Sequence, residues 1–76
     1  MITKYIKIKI EDVTQTILNR AICKNLYNLK TKTENNIQYT ILEFNENDIP
    51  VEMYILGYQL LTATEALTEL SNEGWS

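Results

Sequence analysis

The alternation of isoleucine with polar side chains near the start of the chain constrains its fold more than any other feature. Isoleucine occupies the even positions from Ile6 to Ile10, while Tyr5, Lys7 and Lys9 occupy the odd positions. Successive side chains of a β-strand point to opposite faces, so this period of two predicts a strand over residues 3–10 with one buried and one solvated face. The chain must therefore build a sheet.

Length limits this sheet to one small domain over residues 1–76. Two independent cores of half this length would each be too small to fold alone. The hydrophobic fraction of 45% and the charged fraction of 22% are those of a globular protein, and two glycines with one proline leave no room for a flexible linker. These values exclude disordered and fibrous classes.

The region after the first strand has the period of an amphipathic helix. Asp12 and Gln15 form an approximate capping box, and apolar residues then recur every three or four positions, which predicts a helix over Val13–Leu29. The polar run 30–36 ends this helix. Asn35 and Asn36 are the residues most able to adopt a left-handed backbone there.

A second strand is predicted over Ile37–Phe44, followed by a polar turn over residues 45–48. Residues 49–61 fit two structures. Their aromatic and β-branched content, together with Gly57, favours a third strand over residues 51–60, whereas their apolar spacing of four and three suits one long helix that opens at Pro50. A capping box of Thr62 and Glu65 predicts a last helix ending near residue 72.

These elements predict an α+β fold of strand, helix, strand, strand and helix with a three-stranded sheet; the alternative is strand, helix, strand and long helix. The third strand would place Tyr54, Leu56 and Tyr58 on one face and further apolar residues on the other. Two helices on one side of the sheet would leave the second face exposed. Large exposed apolar patches usually bind partners, so we expect a homodimer through this sheet.

Charge divides the chain into two halves. Residues 1–32 contain all seven basic residues and two acidic ones, a charge of 7 − 2 = +5, and residues 33–76 contain eight acidic residues and no basic one, which gives −8; the sum is the formal net charge of −3. The interpretation that we favour is that the two halves interleave in space, so that acidic side chains neutralise basic neighbours within one small fold. The alternatives are a basic face for a polyanion and an acidic face for a basic partner.

The chain contains few residues of the types that enzymes use for catalysis. The chain has no histidine, the residue most often used for proton transfer at neutral pH, and its one cysteine, Cys23, has no histidine to activate it. One cysteine without histidine also makes a metal site improbable. No apolar stretch is long enough for a membrane span or signal peptide. We therefore expect a cytoplasmic, non-enzymatic protein without metal or cofactor.

The preferred hypothesis is a small interaction protein, a regulator or inhibitor, whose acidic half binds a protein partner. Its richness in isoleucine, asparagine and lysine suggests a phage or bacterial genome of high AT content. One alternative is a module that binds nucleic acid, and another is a dimer that binds a small molecule. The residues predicted for the acidic partner surface are Glu46, Asp48, Glu65, Glu69, Glu73 and Trp75. Those predicted for polyanion binding are Lys4, Lys7 and Lys9, and those for a dimer or pocket face are Tyr54, Leu56 and Tyr58.

Overall fold

Three antiparallel strands and three short α-helices make up the computed structural model, which describes residues 2–22 and 31–75. The predicted α+β class with a three-stranded sheet is confirmed. Cys23 and the second half of the predicted first helix lie outside the described residues. The elements are β1 (Thr3–Lys9), a 3-10 helix (Ile10–Asp12), α1 (Gln15–Arg20), β2 (Thr31–Glu34), β3 (Ile37–Asn45), α2 (Val51–Ile55) and α3 (Ala63–Leu70).

The sheet has the order β1-β3-β2, with β3 in the centre. Strand β2 pairs with the first part of β3 through a two-residue turn in which Asn35 and Asn36 have φ of 52° and 66°. Positive φ at both positions gives the local twist that matches a β-hairpin, and asparagine tolerates it better than most residues. The predicted left-handed asparagines are thus confirmed, although they close a hairpin whose first strand the sequence analysis did not find.

One face of the sheet carries the main core. Ile6 of β1 lies opposite Leu42 of β3, and Ile17 of α1 and Met53 of α2 belong to the same buried cluster. Removal of these side chains from water supplies most of the favourable free energy of folding. The fully buried large side chains of the described chain are Phe44, Ile6, Ile8, Ile17, Ile41, Leu42, Met53, Thr40 and Pro50.

Helix α1 is shorter than predicted and begins later. Thr14, rather than Asp12, caps its N-terminus by accepting a hydrogen bond from the backbone N–H of Ile17. The helix ends because Ala21 adopts an extended backbone and the N–H of Ile22 donates to the carbonyl of Glu43 in β3 at 2.8 Å. A tertiary hydrogen bond to the sheet thus replaces the next helical one.

The predicted third strand over residues 51–60 is wrong, and so is the continuous long helix. Residues 51–55 form α2, and the helix ends before Gly57, whose φ is 78°. The N–H of Tyr58 donates a hydrogen bond to the Met53 carbonyl, and the N–H of Gly57 donates one to the Tyr54 carbonyl. This pair of bonds is the Schellman motif, which favours glycine at the left-handed position. The aromatic and β-branched content indicated a strand, but Pro50 and Gly57 delimit a helix.

Residues 58–61 run along the outer edge of β1. Leu61 exchanges backbone hydrogen bonds with Tyr5 at 2.7 and 2.8 Å, and the Lys9 N–H donates to the Tyr58 hydroxyl at 3.1 Å. This segment therefore covers an edge that would otherwise expose unpaired backbone groups.

Helix α3 lies on the sheet face opposite the main core, and its predicted capping box is confirmed. Thr62 accepts from the Glu65 N–H, and the Glu65 carboxylate accepts from the Thr62 N–H. Ala66 is buried, and Glu69 reaches Lys7, whose side chain points away from Ile6 and Ile8. Helices thus lie on both faces of the sheet, which removes the reason for expecting a dimer through a bare sheet face.

Candidate functional site

The largest concentration of exposed apolar side chains in the described residues lies on and directly after α2. Val51, Tyr54, Ile55 and Leu56 are 61%, 56%, 76% and 53% exposed. Spacings of three and four residues place the first three on one side of the helix, while Met53 turns into the core. We call these four residues the α2 patch. Burial of Met53 holds the helix in place and leaves the patch facing solvent.

Acidic residues flank the α2 patch on its N-terminal side. The turn from Asn45 to Asp48 is closed by a hydrogen bond from the Asp48 N–H to the Asn45 carbonyl at 2.8 Å. Asp48 forms an exposed ion pair with Arg20 at 3.7 Å, which contributes little because solvent screens it. Two carboxylates that adjoin the patch in sequence, those of Glu46 and Glu52, have no ion-pair partner among the described residues.

A different group of charges lies on the opposite sheet face. The Lys7 ammonium contacts Glu34 at 2.5 Å and Glu69 at 3.3 Å, and it lies 4.9 Å from the centre of the Tyr39 ring. The second carboxylate oxygen of Glu69 accepts from the indole N–H of Trp75 at 3.3 Å. We call these five residues the Lys7 cluster.

The charges of the Lys7 cluster stabilise one another. Burial alone would lower the pKa of Lys7, but the hydrogen bond to Glu34 and the charge of Glu69 outweigh it, so the pKa is raised. The hydrogen bond from Lys7 lowers the pKa of Glu34. Burial would raise the pKa of Glu69, but hydrogen bonds from Asn72 and Trp75 and the charge of Lys7 lower it. All three groups are therefore charged at neutral pH.

The predicted lysines do not form one basic surface. Lys7 and Lys9 share a sheet face with Glu43 and Tyr39, whereas Lys4 lies at an even position of the strand, opposite Phe44. Lys7 is also bound inside its own cluster. This geometry gives the nucleic-acid alternative no continuous set of free lysines, and it stays a prediction.

The predicted acidic surface is divided among several environments. Glu65 caps α3, and hydrogen bonds from the backbone and side chain of Thr62 lower its pKa. Glu69 and Trp75 belong to the Lys7 cluster, and Glu73 is exposed in the segment after α3. Glu46 and Asp48 lie together in the turn before α2.

The predicted dimer or pocket face is also divided, because its residues do not share a strand. Tyr54 and Leu56 belong to the α2 patch, but Tyr58 is half-buried and its hydroxyl donates to Asp12 Oδ2 at 2.5 Å. Burial and this hydrogen bond raise the pKa of Tyr58 to about 12. Tyr58 is therefore a structural residue. Sequence reasoning missed Val51 and Ile55, although their spacing between Pro50 and Gly57 was a usable signal.

Two open grooves complete the described surface features. One, of about 280 Å³, lies between β1 and α3; the other, of about 290 Å³, lies beside the hairpin turn. Their linings are Tyr5, Ala63, Ala66, Leu67 and Leu70 for the first, and Ile10, Glu11, Asn36, Ile37 and Gln38 for the second.

Within residues 2–22 and 31–75, no group of acidic or cysteine side chains has an arrangement that could hold a metal ion. In the same ranges, no helix has the length and apolar character needed to cross a membrane. Comparisons with protein-family models, curated proteins and solved structures gave no match to this chain. The site must therefore be interpreted from its own geometry.

Proposed function

We propose that this protein is a non-enzymatic interaction protein that binds a basic protein partner through the α2 patch. The observation that carries the proposal is the exposure of four large apolar side chains within six residues. Single exposed apolar residues are common on protein surfaces, but a contiguous group usually marks an interaction site. Tyr54 has the further property of an interface anchor, since tyrosine supplies a large contact area with a polar end.

The charges around the patch favour a partner of opposite sign. Glu46 and Glu52 carry no intramolecular ion pair with described residues, and the chain has a formal net charge of −3. A basic partner would be steered to this surface and held in register by it. A second copy of this chain would instead bring equivalent carboxylates together in a symmetric contact. We therefore favour a basic protein over a homodimer as the occupant.

The test begins with capture of a protein from nuclease-treated bacterial lysate by the immobilised chain, followed by measurement of its affinity for purified variants. Ile55→Glu places a charge in the centre of the patch and should abolish binding without loss of the fold, because Ile55 is 76% exposed. Leu67→Glu is the matched control, since Leu67 is 67% exposed on α3. We expect this control to bind like the wild type.

Charge reversal separates the two acidic regions. If the proposal is correct, Glu52→Lys weakens binding and Glu65→Lys has little effect. Loss of binding on Glu65→Lys with full binding of Ile55→Glu would move the interface to α3 and refute the proposal. A wild-type dimer that Ile55→Glu converts to a monomer in sedimentation experiments would identify a second copy as the occupant and would also refute it.

A further inference from the structure

The segment that follows α3 returns over the sheet and is attached by few contacts. Gly74, with φ of 103°, packs so closely on Lys32 that a Cβ atom at this position would lie 3.2 Å from the lysine Cε. Trp75 then donates its indole N–H to Glu69. Glycine adopts this backbone conformation without strain, whereas another residue would be strained and would also have to displace the Lys32 side chain slightly. The segment thus contacts Lys32 through Gly74 and Glu69 through Trp75.

Glu69 connects this segment to the sheet. One of its carboxylate oxygens contacts Lys7 of β1, while the other accepts hydrogen bonds from Asn72 at 3.2 Å and Trp75 at 3.3 Å. A single carboxylate thus joins β1, α3 and the segment. Loss of its charge weakens all of these contacts at once.

Two lysines of the strand surface beside the segment are largely covered, Lys7 by its ion pairs with Glu34 and Glu69, and Lys32 in part by Gly74. The side chains of Lys7 and Lys32 are only 23% and 15% exposed. Lysine is among the residues least often buried, and these two are covered by Glu69, Gly74 and the other neighbours described above. Opening of the segment would move Gly74 away from Lys32 and Trp75 away from Glu69, and would therefore uncover Lys32.

The attachment is weak in comparison with the main core. Residues 71–74 are exposed, Trp75 is only half-buried, and the contacts are hydrogen bonds and partly exposed ion pairs. Segments with few buried apolar contacts open at a lower free energy than that of global unfolding.

We propose that residues 71–75 form a latch, held closed by the ionised carboxylate of Glu69, whose opening uncovers Lys32 while the rest of the fold stays intact. The charged group that contacts Glu69 from the sheet is Lys7 on β1, and the Glu34 carboxylate on β2 lies close enough to interact with its charge; Lys32 pairs with Glu34, and the Tyr39 ring on β3 lies beside Lys7. Of these, Glu34 and Glu69 titrate in acid. The latch is independent of the α2 patch.

Protonation of Glu69 should open the latch. The pKa of this carboxyl is lowered in the folded state, so its contribution is complete above the usual glutamate range and is lost as the pH falls through the folded value. Trp75 is the only tryptophan of the chain, and its fluorescence therefore reports the latch directly. We expect the emission to shift to the red in acid before the far-ultraviolet circular dichroism changes.

Variants at neutral pH provide the decisive test. Glu69→Ala should shift the emission to the red and increase quenching by acrylamide, whereas Glu73→Ala removes a neighbouring exposed carboxylate and should change neither. Lys7→Met keeps the aliphatic part of the side chain and leaves Asn72 and Trp75 bonded to the Glu69 carboxylate, so it should shift the emission less than Glu69→Ala. Circular dichroism must show an unchanged fold for each variant. Equal emission of Glu69→Ala and Glu73→Ala, or acid transitions that coincide for fluorescence and circular dichroism, would overturn the proposal.

Discussion

Replacement of Tyr58 by phenylalanine is the sharpest test of how the helical side of the fold is joined to β1. The Tyr58 hydroxyl donates to Asp12 and accepts from the Lys9 N–H, so it connects the segment after α2 to the end of β1 and to the 3-10 helix. Phenylalanine keeps the ring that packs against the core and removes only these two hydrogen bonds. The measured change therefore reports the hydroxyl alone.

The expected cost follows from the two partners. A hydrogen bond to a charged group contributes about 1.5–3 kcal/mol, and one to a neutral backbone group contributes about 0.5–1.5 kcal/mol. Tyr58 and Asp12 are half-buried, so water replaces part of both bonds in the variant, and we expect a loss of about 2 kcal/mol. At about 4–8 °C per kcal/mol for a small domain, Tm should fall by roughly 8–16 °C.

The assay is thermal and urea denaturation followed by circular dichroism, with Tyr54→Phe as the matched control. Tyr54 is exposed and its hydroxyl forms no hydrogen bond with the described residues, so the control should keep the wild-type Tm. If Tyr58→Phe lost no more stability than Tyr54→Phe, the hydroxyl would not join these elements.

High pH provides a second measurement on the same residue. The folded-state pKa of Tyr58 is raised from 10 to about 12, so the folded state holds this proton more tightly than the unfolded state does. The resulting stabilisation is complete below pH 10 and is lost as the pH rises towards 12. Wild-type stability should therefore fall more steeply than that of Tyr58→Phe over this range. Parallel curves would contradict the assignment.

Three further substitutions test other parts of the fold by urea denaturation. Met53→Ala should lower the free energy of unfolding by about 2–5 kcal/mol because it leaves a cavity in the core. Val51→Ala, on the exposed side of the same helix, should lower it little. Equal losses would show that α2 is not anchored through Met53. Thr62→Ala should lower the free energy of unfolding by about 0.5–2 kcal/mol because it removes the N-cap of α3, and Thr64→Ala, two residues further along the chain, should be close to neutral. Asn36→Gly should keep or raise stability because glycine accepts positive φ more easily, and a clear loss would contradict the turn geometry.

The parts of the fold that the sequence predicted are those determined by local chemistry. Alternation of isoleucine and lysine specified β1, and the reciprocal pairing of Thr62 with Glu65 specified the start of α3. The tolerance of asparagine for positive φ predicted the left-handed backbone at Asn35 and Asn36, although not the hairpin that they close. Each of these signals acts over a few residues and does not depend on the rest of the molecule.

Other parts depended on contacts between residues far apart in sequence. Strand β2 has no apolar residue, and it forms because its backbone pairs with β3. Helix α1 ends where the N–H of Ile22 donates a hydrogen bond to the carbonyl of Glu43, and no glycine or proline in the sequence predicts this end. In the candidate site, the apolar character of residues 51–56 was visible, but their exposure depends on which helix face Met53 anchors. The segregation of charge predicted that the two halves neutralise each other, as Lys7 does with Glu69 over 62 positions, but it did not predict which residues form the pair.

The segment that covers β1 also determines how the sheet can grow between molecules. An additional strand could pair with β1 only after the bonds of Tyr5 to Leu61 and of Lys9 to Tyr58 are broken. Within the described part of the chain, no strand pairs with the outer edge of β2, where Lys32 and Glu34 alternate with threonine. Edge-to-edge aggregation of the native protein is therefore hindered at both edges, but by different means. Backbone hydrogen bonds to residues 58–61 block pairing at β1, and charged side chains oppose it at β2.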